Sequence, residues 1–452
     1  MTMWTATFVQ QALGLAEQPR TSLFTAISTD TRSLGPGALF VALVGEHHDG
    51  HAHLAGARDR GAAAAVVRRS TPDVPGLELL RVEDTLHAYG DLAHARRKEV
   101  GGPVVAVTGT NGKTSTKEML AAVLRTRFRT HATRLNLNNL VGVPLTILES
   151  PADTEALVVE AGANLPGEIP RYREIIEPSI AVITNVAEGH LEGFGSLEGV
   201  MQEKLALVRD VPLAVVGTEP AALAEQARHL ARRVVTAGLQ AAERKARDIR
   251  IDELGRASFT ADDRRISLPL PGRHLAANAM LAWAVAEELG LDLDACAEAL
   301  GRLALPGGRS ELLQLGALTV LNDCYNANPQ SFASVIATAR AMREGRRLVF
   351  VAGTMRELGT ESGRLHAQVA EQLALLKPDL LAVVGDFVPA IAPWQDALGS
   401  RLVSAPGPLQ MGPLLAKRLA GDELVVLKAS RGVALERIIP FLAAPPAPSA
   451  EA

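Results

Sequence analysis

A chain of 452 residues is about three domains long at roughly 150 residues each, and 47% apolar with 21% charged residues excludes a disordered or fibrous protein. Lys and Arg number 46 against 50 Asp and Glu, a net charge of −4, so no global field draws the chain to nucleic acid or to an anionic membrane. Its ligands must be read from local sites. The two cysteines, Cys296 and Cys324, form no C-x-x-C pair and fit buried thiols in a reducing compartment. The N-terminal MTMWTATFVQQALG lacks the plan of a secretory signal, and no run approaches the about 18 apolar residues of a membrane span. A soluble cytoplasmic protein without membrane insertion is expected.

In chain order, residues 1 to 100 carry short apolar segments, ALFVAL (38–43) and AAAAVV (62–67), set apart by Gly, Pro and charge. They predict a small α/β domain. From Gly101-Gly102-Pro103 the pattern alternates: PVVAVT (103–108), a helix from Lys113, ALVVE (156–160), IAVITN (180–185), a helix near Leu197 to Arg209, and LAVVG (213–217). That rhythm predicts a parallel sheet covered on both faces. The polar stretch 246–272 reads as a few short strands, and a helix follows over Ala276 to Leu289. LALPGGRS (303–310) then punctuates the chain, after which LTVLND (318–323), RRLVFVAG (346–353), LLAVVG (380–385) and ELVVLK (423–428) predict a second parallel-sheet domain. The expected division is 1–100, 101–308 and 309–452, with AAPPAPSAEA as a frayed tail.

The sharpest local signal is VTGTNGKTST (107–116), between a buried strand and a helix. Glycines Gly109 and Gly112, with Thr110, Asn111 and Ser115 in the same turn, let the backbone close around phosphate oxygens; the helix start offers unpaired N–H groups, Lys113 adds a cation, and the Thr114 hydroxyl can reach Mg²⁺. The generic G-x-x-x-x-G-K-[ST] needs Gly where Val107 stands, but the strand-before, helix-after context favours ATP binding over an ordinary glycine-rich turn. Glu160 closes ALVVE, and a carboxylate at a strand end beside a P-loop is a natural metal ligand. His190, in NVAEGHLEGFG, falls at the same sheet edge. A loop histidine is more often solvated than a ligand, and spacing leaves both readings open. His47, His48, His51 and His53 crowd together in EHHDGHAH, but no Cys or second cluster completes a four-ligand metal site. Arg244-Lys245-Ala246-Arg247, set among acids, reads as a solvated face.

Together the motifs resemble the Mur ligases, the ATP-dependent amide-forming enzymes of cytoplasmic peptidoglycan precursor synthesis. TGTNGKTST is similar to that family's compact P-loop, which accounts for the missing first glycine. STDTRSLGPGALFVAL (28–43) with Asp49-Gly50-His51 resembles the uridine-nucleotide-binding domain of members that extend the peptide stem late. Thr133 with Asn136-Leu137-Asn138-Asn139 and Gly142-Val143-Pro144, then EAGANLPGEI, TNVAEGH and Lys204, follow the family in order. Leu135 and Ala429 stand where the family usually has Gly. Asp323-Cys324-Tyr325-Asn326-Ala327-Asn328-Pro329 resembles the signature of the branch that adds D-alanyl-D-alanine, and MRELG (355–359), His366 and LKASRG (427–432) agree in position.

This resemblance implies three α/β domains: a small uridine-nucleotide-binding domain, a central P-loop ATPase-like parallel sheet with helices on both faces, and a C-terminal Rossmann-like ligase domain. It implies that Gly109, Thr110, Asn111, Gly112, Lys113, Thr114 and Ser115 hold ATP, with Asn278 at the adenine and Arg309 and Asp323 reaching the nucleotide from the third domain. Thr114 and Glu160 would bind one Mg²⁺, while Glu160, His190 and a carbamate on Lys204 would bind a second. Lys113, His190 and Lys204 would carry the catalysis. Ser28, Asp30, Arg32, Asn136, Asn138 and Asn139 are expected at UDP-N-acetylmuramoyl-tripeptide, and Asn326 and Asn328 near D-alanyl-D-alanine. The expected reaction forms an amide through an acyl phosphate, giving ADP and phosphate, in a monomer. Two rivals are weaker: a folate-polyglutamate-type ligase lacks the first domain that residues 28–51 supply, and a silent UDP-sugar-binding protein would have lost the phosphate and metal residues.

Overall fold

The computed structural model describes residues 4–45 and 48–443. The first three residues, His47 and nearly all of the expected frayed tail lie outside the described residues.

The first domain is built on a four-stranded parallel sheet, β1 (Ile27–Ser28), β2 (Leu39–Val41), β3 (Ala64–Arg68) and β4 (Glu78–Val82), in that order. Helix α1 (Thr85–Lys98) follows, N-capped by Asp84, whose carboxylate accepts the His87 N–H at 2.7 Å.

The middle domain holds β5 (Val104–Thr108), α2 (Lys113–Leu124), β6 (Thr130–Ala132), α3 (Gly142–Leu148), β7 (Ala156–Glu160), α4 (Glu168–Ile176), β8 (Ile180–Ile183), α5 (Leu197–Leu205), β9 (Leu213–Val216), β10 (Val234–Gly238) and β11 (Arg244–Lys245). Its seven strands are parallel in the order β11-β10-β9-β8-β5-β7-β6. Every residue of β5, β7 and β8 is buried, as strands covered on both faces require, and this is why they read as continuous apolar runs. The chain reaches β7 and β8 on opposite sides of β5, so the crevice above β5 is a topological switch point where ligands bind. The predicted helix toward Arg209 stops at Leu205 and continues as a 3-10 turn over Ala206–Val208, and Arg209 itself has left the helical region at ψ 123°.

The polar stretch forms an antiparallel sheet of β12 (Arg247–Ile251), β13 (Arg256–Ala261) and β14 (Arg264–Pro271). In β13 buried residues alternate with half-buried ones, the mark of a sheet with one wet face. Helix α6 (Arg273–Glu288) then covers the middle sheet. Arg244, read as part of a solvated face, is half-buried and pairs with Glu287 at 2.6 Å, while Lys245 and Arg247 are exposed.

The third domain contains β15 (Glu311–Leu315), β16 (Leu318–Asp323), α7 (Pro329–Met342), β17 (Leu348–Ala352), α8 (Ser362–Leu376), β18 (Leu380–Val384), β19 (Leu402–Ala405) and β20 (Leu424–Lys428). Its strand order is β15-β16-β20-β17-β18-β19, with only the first pair antiparallel. One buried apolar cluster runs from Tyr89 and Leu92 through Tyr172 and Ile176 to Phe350 and Leu358, so the domains share a core and do not merely touch. Cys296 and Cys324 are buried and free. Among the described residues no helix is long and apolar enough to cross a membrane.

Candidate active site

At the end of β5 the chain turns through Gly109 (φ 143°) and Gly112 (φ 79°). Both positions need glycine: a Cβ on Gly109 would fall 1.9 Å from Thr184 Oγ1, and one on Gly112 2.7 Å from Asn278 Oδ1. The end of β8 shapes the loop further, since Asn185 Oδ1 accepts the Asn111 N–H at 3.0 Å and Asn185 Nδ2 donates to Asn111 O at 3.1 Å. Helix α2 begins without a side-chain cap, and a helix start of that kind offers N–H groups suited to an anion. Lys113 Nζ donates to Gly109 O at 2.9 Å and Thr110 O at 3.1 Å, closing a cradle of one cation and several amides. Burial lowers the Lys113 pKa, and Glu160 opposes that shift.

Glu160 is 1% exposed. Its Oε1 accepts from Thr114 Oγ1 at 3.2 Å and from Asn138 Nδ2 at 2.8 Å, whereas Oε2 is buried with no hydrogen-bond partner among the described residues. An unpartnered buried carboxylate oxygen is costly, and a carboxylate beside a hydroxyl is a hard-oxygen donor set that suits Mg²⁺. Arg309, from the third domain, donates to Thr114 Oγ1 at 3.0 Å while its guanidinium lies 3.4 Å over the Tyr325 ring.

His190 adopts a left-handed backbone (φ 56°), as does Glu357 (φ 65°), and the two meet across the domain boundary with Nδ1 2.6 Å from Oε2. The approach is a close contact not aligned as a full hydrogen bond. Burial lowers the His190 pKa and Glu357 opposes it; the adjacent imidazole is the largest influence holding the Glu357 carboxyl below its usual value. Two strained non-glycine residues in contact are the pattern expected where function fixes geometry. A carboxylate on one ring nitrogen is also how metal-ligating histidines are oriented. Lys204 is fully buried, its Nζ 3.4 Å from Ala163 O and 5.4 Å from the Phe194 ring centre. Burial first, and then the charge of Lys113, push its pKa down to about 7.

Asp323 Oδ1 accepts the Ser310 N–H at 2.9 Å and its Oδ2 accepts from buried Lys428 at 2.7 Å. Asn328 caps α7 reciprocally with Ser331, and its Nδ2 donates to Asn111 Oδ1 at 2.8 Å. Its polar atoms are thus engaged in a cap and an inter-domain clasp, whereas Asn326 is exposed on the adjoining turn. Asn139 Oδ1, just ahead of α3, accepts the Gly142 N–H at 2.8 Å, and Asn136 is exposed. Leu135 has φ 52°, the left-handed conformation that favours glycine, so the family's usual residue there has a backbone reason.

The structure joins Thr114, Glu160, Asn138 and Arg309 in one network and Asn111 with Asn328 in a second. Ser28, Asp30 and Arg32 form a separate cluster at the end of β1, where Arg32 bonds both oxygens of Asp30 at 2.9 and 2.8 Å and draws that carboxyl down to about 2. His51 bonds Asp49 and, through Nε2, accepts the Arg68 N–H at 3.0 Å, a strut in the fold. Among the described residues no three His, Cys, Asp or Glu side chains gather as a metal site. Glu357, Thr184, Asn185 and Lys428 are not among the site residues expected from sequence, although each lies in a segment noted there, MRELG, TNVAEGH or LKASRG.

Two cavities open on the described surface, and only the smaller includes a residue of these contacts, Glu357. One of about 860 Å³ opens at the C-terminal ends of β17 and β18, lined by Thr354, Arg356, Glu357, Asp386 and Glu192. The other, about 1010 Å³, lies between the first and middle domains beside Leu13, Leu86, Leu140 and Ile175. Its arginines are committed to acids, Arg69 to Glu83, Arg81 to Asp73 and Arg171 to Asp91. The smaller one adjoins the contact of Glu357 with His190.

Three family models match the chain: the Mur ligase family catalytic domain over residues 23–97, the Mur ligase middle domain over 107–286, and the Mur ligase glutamate ligase domain over 308–431. A UDP-N-acetylmuramoyl-tripeptide--D-alanyl-D-alanine ligase of Bacillus subtilis is 34% identical over 429 residues, covering 91% of this chain and 92% of that protein. The crystal structure of MurF from Acinetobacter baumannii superposes with a TM-score of 0.89 at 29% identity, covering 98% of this chain and 99% of that one. MurF ligase from Thermotoga maritima, solved in complex with ADP, gives 0.83 at 27% identity over 92% of this chain and 97% of that one. With all three domain models matched in order, and a relative above 30% identity along nearly its whole length, the chain belongs to the Mur ligase family.

Proposed function

We propose that this chain joins D-alanyl-D-alanine to UDP-N-acetylmuramoyl-tripeptide at the expense of ATP, as a monomer in the cytoplasm. The observation that carries the reading is the union of the P-loop, the half-satisfied Glu160 and the third-domain Arg309 on a single hydroxyl, Thr114. A carboxylate does not condense with an amine in water because its oxygen is a poor leaving group. The terminal carboxylate of the tripeptide therefore attacks the γ-phosphorus, the bond to ADP breaks, and an acyl phosphate forms. The dipeptide amine then attacks the acyl carbon, the carbon–oxygen bond to phosphate breaks, and the amine loses a proton.

Little covalent chemistry falls to the protein, so its work is placement and charge neutralisation. The amides of 109–115 and Lys113 hold the β- and γ-phosphates, Asn278 lies against Gly112 at the adenine side, and Arg309 and Asp323 bring the third domain to the nucleotide. Thr114 and Glu160 would hold one Mg²⁺, and Glu160, His190 and Lys204 as its carbamate a second; bound there, the cations neutralise charge on the transferring phosphoryl group. Carbamate formation needs a neutral amine, to which CO₂ adds with loss of one proton, and burial of Lys204 supplies that form near neutral pH. Ser28, Asp30 and Arg32 receive the uridine end, Asn136, Asn138 and Asn139 line the path to Glu160, and Asn326 with the turn held by Asn328 borders the dipeptide.

Phosphate release with UDP-tripeptide, measured with and without D-alanyl-D-alanine, tests the reading. Release that requires both substrates, together with a UDP-pentapeptide product by mass, is expected. Release indifferent to the dipeptide refutes it. Light scattering should give the 47.7 kDa monomer mass.

A further inference from the structure

Lys117 is a fully buried lysine that the proposed chemistry leaves unused. It lies on α2 beyond Lys113 and Thr114, at the i+4 and i+3 spacing that puts all three on one helix face. Its Nζ donates to Thr133 O at 2.7 Å and pairs with Glu118. Thr133 is also buried, and its hydroxyl accepts the Glu160 backbone N–H at 3.0 Å. Thr133 is the last residue before the loop of Asn136, Asn138 and Asn139, and Asn138 returns from that loop to Glu160 Oε1 at 2.8 Å. A methionine would fill the same volume without taking an ammonium out of water, so packing gives no reason for a lysine here.

We propose that Lys117 is a positioning residue that ties the phosphate-binding helix to the substrate loop and, through Thr133, to the backbone of Glu160. Phosphate-side and UDP-side groups are then set by one buried hydrogen-bonded unit. The inference rests on the reading that the loop of Asn136 to Asn139 meets the UDP substrate.

The test is Lys117→Met, read by calorimetry with UDP-tripeptide in metal-free buffer without nucleotide, by calorimetry with ADP, and by kcat and KM. UDP-tripeptide affinity and kcat should each fall about tenfold, as when a supporting partner of a ligand-binding group is lost, with ADP affinity within about twofold. Thr133→Val should reproduce the loss in kcat, Thr133→Ser should retain activity, and the Lys117→Met/Thr133→Val double variant should lose less than the product of the single effects. Wild-type UDP-tripeptide affinity and kcat in folded Lys117→Met overturn the proposal, as does a multiplicative double variant. Should Lys117→Met fail to fold, wild-type behaviour of Thr133→Val overturns it. Asn138→Ala separates the two levels: unchanged UDP-tripeptide affinity there removes the loop reading and the coupling with it, whereas weakened binding there with an unaffected Lys117→Met removes the coupling alone.

Discussion

The nucleotide edge of the middle domain and the Ser28 to Arg32 edge of the first domain are both C-terminal edges of parallel sheets, but they are built in opposite ways. In the middle domain Glu160, Lys204 and Lys117 are withdrawn from water, and Thr133 links Lys117 to the backbone of Glu160. In the first, the side chain of Arg32 is 88% exposed and its partner Asp30 41%. Buried charges act through a low dielectric and need no reorganisation when a phosphoryl group moves, so each should matter greatly to rate. Solvated charges exchange water for ligand, and removing one should cost little beyond a contact. On the proposed reading one edge serves the chemistry and the other recognition of the UDP substrate.

The largest effect should come from Lys113→Ala. Its ammonium is the cation held within the loop by Gly109 O and Thr110 O, and kcat should fall by about 10³ or more, the scale of losing one preorganised stabilising donor. UDP-tripeptide affinity by calorimetry should stay within about twofold, because the hydrogen bonds of Lys113 go to its own loop and reach neither the Ser28 to Arg32 cluster nor Asn136, Asn138 and Asn139. A comparable loss of UDP-tripeptide affinity would erase the contrast between the two edges.

Lys204 offers a sharper test because it separates rate from stability. Lys204→Ala should lose most activity and regain part of it with short carboxylic acids that occupy the vacated anionic position. In degassed buffer the pH dependence of folding is a second readout. The folded pKa near 7 lies below the ordinary 10.5, so between those values the unfolded chain binds the proton that the folded chain has released. Native stability therefore gains from this group as pH rises through that window, and the gain is lost as pH falls to about 7. Lys204→Met should exceed wild type in urea midpoint at or below pH 7 and lose that advantage toward pH 10.5. A constant offset across the window means the lysine is not desolvated in the folded protein.

How much of this could be seen in sequence differs along the same lines. VVAVT and ALVVE announce buried parallel strands because both faces are covered, and Gly109 and Gly112 announce the phosphate loop because no side chain fits there. The contact between His190 and Glu357, and that between Arg309 and Thr114, join segments far apart in sequence, and short-range periodicity does not encode such pairs. Lys117 did leave a trace. With Leu120, Ala121 and Leu124 it continues an apolar stripe at helical spacing, and a charge inside such a stripe is a buried polar residue in need of a partner. Leu135 shows the converse: a departure from the family's glycine that sequence could only note, and that a left-handed φ explains.

The smallest effect should come from Arg32→Ala. Arg32 makes a two-pronged bond to Asp30 at the surface, and exposed ion pairs contribute little to folding, so the melting temperature should not move measurably. Binding should move instead. Removal of the guanidinium takes away a surface cation and the hydrogen bond that is the main cause of the low Asp30 pKa, and on the proposed reading a free carboxylate is then left toward the anionic UDP substrate. KM for UDP-tripeptide should rise several-fold with kcat unchanged, the signature of lost uniform binding. Because the pair keeps Asp30 ionised well below neutrality in wild type, Asp30→Asn should change KM by a factor that stays flat across the neutral pH range. A fall in kcat for Arg32→Ala comparable to that of Lys113→Ala would show that the first-domain edge takes part in the chemistry and does not only hold the substrate.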